Sequence, residues 1–482
     1  MKTVFCSRYS VYPFSVLQRC GIRHPKPIPF FGNMMLFRHG FFDAHRDLIN
    51  QYGRVCGYYL GRRPVVVVAD PDMLRQVMVK EFQKFPNRMK LRAATKPMTE
   101  SVLMLRNERW KRVRSILTPS FSAAKMKEMV PLINTATETL LNNLKSYAES
   151  GESFDIHRYD CTLAFPFLIR PLSFIIPNKS RDEMNGFFIS CIQKIIKQRD
   201  ELPPNQRRRD FLQLMLDVRS SKECVSLENF DVVNHADEQA EEQPQVAEEA
   251  ANGPGSSGDA PKRPQQKRMM TEDEIVGQAF LFLLAGYETS SNTLAFACYL
   301  LAINPDCQEK LQREVDDFFT RHGSADYTNV QELKYLDMVV CEALRLYPPG
   351  FRFARDVEED CVINGQFLPK GATLDISAGF LHHDPQYWPE PEKFIPERFT
   401  PEAKASRHPF VYLPFGAGPR SCVGMRLAQL EIRMALVNIF KKFNVVACED
   451  TKVPLQLKSS TTLGPKNGIF VKITKRLNSD DI

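Results

Sequence analysis

The chain has 482 residues, of which 43% are hydrophobic and 25% charged, with a formal net charge of +7. Those proportions are globular, and the length fits one large enzyme domain as well as two. The charge is modest for the length and argues for no nucleic-acid partner, while a basic face toward anionic lipid or an acidic redox protein stays open.

Twelve cysteines are scattered without paired short spacings, which excludes a disulfide framework and a zinc site. No stretch supplies the roughly 20 apolar residues needed to cross a bilayer. Residues 1–23 carry Lys2, Arg8, Arg19 and Arg23 between short apolar patches, so they read as neither an anchor nor a signal peptide. The remainder, 24–482, reads as the catalytic domain.

Along the chain, residues 54–70 read as two strands ending in Val65–Val68. Helical patterns follow at Met73–Lys80, Glu108–Leu117, Lys125–Ser150, Lys179–Arg199 and Arg207–Arg219. Residues 160–176 are apolar but interrupted by Pro166 and Pro171. Residues 234–268 are acidic, then rich in Gly, Ser and Pro, and read as a disordered insertion. Thr271 and Glu274 then form a capping-box pattern that opens a helix running to Ile303, about 50 Å long at 1.5 Å per residue. Helices are expected at Asp306–Arg321 and Val330–Tyr347, a hairpin turn at Asn364–Gly365, and a last helix from Met425 to Phe443.

The most telling stretch is Phe415-Gly416-Ala417-Gly418-Pro419-Arg420-Ser421-Cys422-Val423-Gly424. It puts a cysteine on a glycine-rich loop just before a helix, where free N–H groups and the helix terminus favour a thiolate. Gly416 and Gly418 let the backbone come close to a flat ligand, and Arg420 offers a cation to a carboxylate. An axial cysteine on a haem iron fits all of these features. Glu342 and Arg345 share one helix face and can pair. Ala285 and Gly286 are small residues in an apolar helix, followed by Glu288 and Thr289, an acid and an alcohol that could carry protons or, for Thr289, bond back to its own helix.

This loop resembles that of the haem-thiolate cytochromes P-450. Glu342-Ala343-Leu344-Arg345, Pro396-Glu397-Arg398-Phe399, Ala285–Ser290, Trp110 with Arg114, and His24–Pro29 are similar to further marks of that superfamily, in the same order. The resemblance implies a mainly α fold with small β-sheets (α+β), with haem b between the long central helix and the cysteine-loop helix. It implies Cys422 as axial ligand, Phe415 beside it, and Trp110, Arg114, Ala285, Arg355 and Arg420 around the haem. It implies Glu342, Arg345 and Arg398 as a structural network. Within the superfamily, phrases such as Leu463–Gly468 look like the branch that isomerises prostaglandin H2 to thromboxane A2. An NADPH- and O2-dependent monooxygenase, served by NADPH-cytochrome P-450 reductase docking near Arg109–Arg114, is the alternative, and Thr289 and Ser290 resemble that class. The superfamily places two helices where only residues 160–176 stand here, so a shortened inactive isoform is a third reading. A lipid substrate and the cytosolic face of the endoplasmic reticulum membrane are implied by resemblance alone.

Overall fold

The computed structural model describes residues 12–90, 94–156, 179–207, 210–219, 224–225, 266–267, 269–459 and 461–476. The short 160–176 segment lies outside them, as does all of 234–268 except Gln266 and Lys267. Gln266–Lys267 pair antiparallel with Cys224–Val225. The rest of that expected insertion lies outside the described residues.

Helix α1 (Phe41–Tyr52) precedes strands β1 (Val55–Leu60) and β2 (Arg63–Val68). The apolar run Val65–Val68 is buried throughout, as befits an inner strand. Helix α2 (Asn107–Leu117) and the long α3 (Ala123–Ser150) follow. The expected helix at Met73–Lys80 is instead a short α-turn, Pro71–Arg75, capped by the Asp70 carboxylate and continued as a π-turn over Gln76–Lys80. The expected helix at Arg207–Arg219 shrinks to Phe211–Asp217, since Asp210 caps it from the Gln213 N–H.

Helix α4 (Glu272–Ile303) has both halves of the predicted capping box, with Thr271 and Glu274 exchanging bonds. Helices α5 (Pro305–Arg321) and α6 (Lys334–Leu346) pack on it, α6 being preceded by a separate 3-10 turn at Asn329–Glu332. Strand β3 (Phe353–Asp356), which the sequence pattern misses, and β4 (Thr373–Ile376) complete a sheet in the order β1-β2-β4-β3. Strands β2 and β4 run parallel, and the other two pairings are antiparallel. Asn364 and Gly365, both at positive φ, turn the predicted hairpin. Helix α7 (Met425–Lys442) and the short hairpin β5 (Leu457–Ser459) and β6 (Leu463–Pro465) close the chain.

The largest apolar core joins α3, the second half of α4, α5, α6 and α7. A second core lies between the sheet and α1. A third joins α2 to the first half of α4. The cysteine loop enters where these three cores meet, immediately before α7.

Candidate active site

The loop holding Cys422 is shaped by two glycines. Gly416 (φ +75°) and Gly418 (φ +68°) adopt a left-handed backbone, and a Cβ on Gly418 would lie 2.0 Å from the Met78 carbonyl oxygen. The Cys422 N–H donates to the Phe415 carbonyl at 2.9 Å, closing the loop. Cys422 has solvent-accessible surface although protein atoms crowd around it, as expected of a residue lining an internal cleft. Burial pushes its thiol up, against the Gly424 N–H and the Arg114 and Arg88 guanidiniums. An N–H at the helix start does favour the thiolate, as the sequence suggests, but burial outweighs it and the two guanidiniums; a bound iron would supply the further positive charge that favours deprotonation.

Around this sulfur the chain assembles arginines. Arg355 on β3 is buried, and among the described residues its Nε has no partner and only Nη1 is engaged, by the Ala354 carbonyl at 3.0 Å. Burial, then Arg88, push Arg355 down to about 9. Burial lowers Arg114 to about 10, with Cys422 opposing. Arg420 is pushed to about 7, first by burial and then by Arg88, Arg355, Arg114 and Arg106. Guanidiniums stay charged in proteins, so this crowding amounts to a demand for anions. No described carboxylate pairs with Arg88, Arg114, Arg355 or Arg420. A thiolate-bound haem with two propionates fits that donor set.

Arg420 is held more firmly than its expected role required. Nε donates to the Pro86 carbonyl at 2.9 Å, Nη1 to Val102 at 3.3 Å and Nη2 to Leu105 at 2.9 Å. Its guanidinium carbon lies 3.9 Å from the ring centre of buried Trp110. Two of its five N–H directions are left for a ligand.

Arg88 is a site residue the sequence reading missed. Its Nε is buried without a partner among the described residues, and its Nη2 donates to the Arg420 carbonyl at 3.3 Å. No local motif marks it. It is placed by Asp356, whose N–H donates to the Asn87 carbonyl, and by Arg106, which donates to the Arg88 carbonyl.

Beneath the loop, Glu342 and Arg345 of α6 are fully buried and bidentate, at 2.7 and 2.8 Å. Arg398 Nε lies 3.3 Å from Glu342 Oε1, so the structure brings all three residues together. Arg345 also donates to the His382 carbonyl at 2.8 Å.

Helix α4 is buried at both ends, but Leu283 to Glu288 are exposed between them. A Cβ added to Gly286 would meet nothing within 4 Å. An apolar strip thus lies open along the centre of a helix that packs on α7. The Thr289 hydroxyl donates to the Ala285 carbonyl at 2.7 Å. Glu288 accepts from the Thr462 hydroxyl of the β5–β6 hairpin at 2.5 Å. Both members of the candidate proton pair therefore have protein partners. Ser290 instead reaches Glu431 of α7 at 3.4 Å.

The basic run expected to face a redox partner is largely taken up by carboxylates, although Arg109 stays exposed. Arg109 pairs with Glu100 and Glu274, Arg112 pairs with Glu274, and Arg114 is largely enclosed beside the site. Helix α4 presents its acidic first turn to α2, which the sequence pattern of α2 alone could not disclose.

An arginine-lined cysteine loop beneath a long central helix defines a haem-thiolate enzyme. The Cytochrome P450 family description matches residues 22–165 and 258–473, and the chain belongs to that family. It is 46% identical over 515 aligned positions to thromboxane-A synthase of Sus scrofa, covering 97% of this chain and 94% of that protein. The Rattus norvegicus thromboxane-A synthase is likewise 46% identical, with the same coverage. Cytochrome P450 3A13 of Mus musculus is 35% identical, covering 97% and 94%. The family implies a haem-thiolate cofactor.

Proposed function

We propose that the chain is an endoperoxide isomerase that converts prostaglandin H2 to thromboxane A2. The observation that carries this reading is 46% identity to thromboxane-A synthases along 97% of the chain. Substrate and product have the same atoms, so the reaction needs no reductant, no molecular oxygen and no net proton. The partners of Glu288 and Thr289 support this reading, since neither side chain is held ready to deliver a proton.

When bound, haem b with an axial thiolate supplies an electron-rich iron able to split an O–O bond. Cys422 would provide the sulfur, its loop rigidified by the Cys422 to Phe415 bond. Arg88, Arg114, Arg355, Arg420 and Trp110 would hold the propionates. The strip Leu283–Tyr287 would exclude water and receive apolar substrate chains.

A monooxygenase of lipophilic substrates is the second reading, favoured by the occurrence of a threonine at position 289 and by the likeness to Cytochrome P450 3A13. Incubating haem-loaded protein with prostaglandin H2, with and without NADPH and reductase, separates the two. Product without reductant is expected, and turnover that requires NADPH would establish the second reading. Thr289→Ala should leave isomerisation intact, whereas Cys422→Ala should abolish it.

The cytosolic face of the endoplasmic reticulum membrane is the proposed location. Among the described residues no helix is long and apolar enough to cross a membrane. Residues 1–42 contain six Lys and Arg and no Asp or Glu, and Ile28, Phe30, Phe31, Met35 and Leu36 are exposed. Apolar side chains among cations suit an anionic lipid interface. Co-sedimentation with anionic vesicles, lost on Phe30→Ser with Phe31→Ser, tests it.

A further inference from the structure

The Glu342–Arg345 pair and the cysteine loop lie far apart in sequence, and one imidazole joins them. His382 ends a short helix, Ala378–His382, and is completely buried. Its carbonyl accepts from Arg345 Nη1 at 2.8 Å. Its ring Nε2 lies 2.8 Å from the Leu413 nitrogen. The Leu413 amide can only donate, so Nε2 is the unprotonated acceptor and the ring carries its hydrogen on Nδ1.

Leu413 is the first link of the loop. Its carbonyl accepts from the Gly416 N–H at 3.2 Å, and two residues later the Phe415 carbonyl accepts from the Cys422 N–H at 2.9 Å. A continuous series therefore runs from Glu342 through Arg345 and His382 to Leu413, and from there around the loop to the sulfur. The arrangement turns the Nδ1 hydrogen toward the backbone of Arg345 and Leu344, although no close hydrogen bond forms there among the described residues, a weak contact for a buried polar group. The gain on the other side is a rigid acceptor at the point where the loop begins, its ring packed 5.3 Å from that of Tyr412.

We propose that His382 is a positioning residue for the Cys422 sulfur: it fixes the start of the cysteine loop at the depth that buried Arg345 sets. This rests on the reading of Cys422 as the axial ligand.

The test uses full-length haem-loaded protein and three variants. His382→Leu removes the acceptor, His382→Gln places an amide oxygen near the position of Nε2, and Cys422→Ala removes the sulfur. The readouts are the fraction of thiolate-type Soret band in the reduced carbon monoxide complex and the ferric/ferrous midpoint potential, with helical circular dichroism as the folding control. His382→Leu should fold and lower the thiolate fraction at least about fivefold, an effect that losing one buried hydrogen bond permits. His382→Gln should restore both readouts. If the Leu variant does not fold, His382→Met takes its place. An unaltered spectrum and potential in the apolar variant overturns the assignment, as does a Gln variant that behaves like it. Failure of both apolar variants to fold makes His382 structural, which also overturns it. Retention of the thiolate band in Cys422→Ala removes the underlying ligand reading instead, so the two failures are told apart.

Discussion

The guanidinium of Arg420 stacks 3.9 Å from the ring centre of Trp110 while its three nitrogens reach the carbonyls of Pro86, Val102 and Leu105. One side chain thus ties the cysteine loop to α2 and to the segments before it. A lysine has a single ammonium and no planar fork, so it cannot meet three carbonyls while lying on an indole. Arg420→Lys should lose at least two charged hydrogen bonds of roughly 1.5–3 kcal/mol each. The expected outcome is a protein that expresses but loses haem, read as a lower haem-to-protein ratio after gel filtration. An unchanged ratio would count against Arg420 as part of the haem-holding cluster.

The two loop glycines should differ sharply in tolerance. At Gly418 an added methyl meets the Met78 carbonyl at 2.0 Å, and backbone has no flexible end to move aside. Gly418→Ala should therefore cost about 3 kcal/mol or more. At Gly416 the nearest atom is 3.8 Å away, so Gly416→Ala meets only the left-handed backbone penalty of about 1–2 kcal/mol. Thermal midpoints should fall in the order wild type, Gly416→Ala, Gly418→Ala. A reversed order would mean that the loop does not follow this backbone path.

Glu342→Gln keeps the shape of the buried pair but removes its negative charge. Arg345 would then be left uncompensated with no exposure, a loss of about 3–5 kcal/mol. The predicted result is a much lower yield of soluble haem-loaded protein and a lower denaturant midpoint. Wild-type yield and midpoint would show that the pair contributes little.

Acid should weaken the sheet core through Asp375. Burial alone would push this carboxyl up, but the Arg352 guanidinium, the nearby His45 ring and the Tyr58 hydroxyl outweigh it and hold it well below the usual carboxylate range. Those partners come from α1, from β1 and from the residue before β3. A depressed carboxylate contributes stability that is complete above its unfolded value, near pH 4, and fades as pH falls below it. Denaturation midpoints measured from pH 6 down to pH 3 (a range set by the roughly 3.9 reference value) should drop more steeply for wild type than for Asp375→Asn. Parallel curves would contradict the predicted linkage.

Much of the fold can be read locally. The capping box at Thr271 and Glu274, the Asn364–Gly365 turn and the Val65–Val68 strand each depend on residues within one turn or one strand. Their sequence patterns are therefore their physical causes. The Glu342–Arg345 pair is equally local, three residues apart on one helix. The turn at Pro71–Lys80 and the strand Phe353–Asp356 escape such reading. Asp70 starts the first turn two residues earlier than the pattern and Gln76–Lys80 continue it as a π-turn, and the strand exists because Leu374 and its neighbours pair with it.

The site divides in the same way. Cys422, its two glycines and the helix behind it mark a candidate metal-binding sulfur, because thiol, backbone freedom and helix terminus all fall within ten residues. The sequence could not disclose that Arg88 joins the arginine cluster, that Arg420 is held by carbonyls more than 300 residues away, or that His382 supports Leu413. Nor could it disclose that Glu288 is engaged by Thr462. Those contacts follow from how the three cores bring distant segments together, and a buried polar group takes whichever partner packing sets beside it. Local chemistry points to the kind of ligand this chain would bind, and only tertiary packing decided which distant residues stand beside the proposed site, because buried polar groups take the partners that the packed cores set next to them.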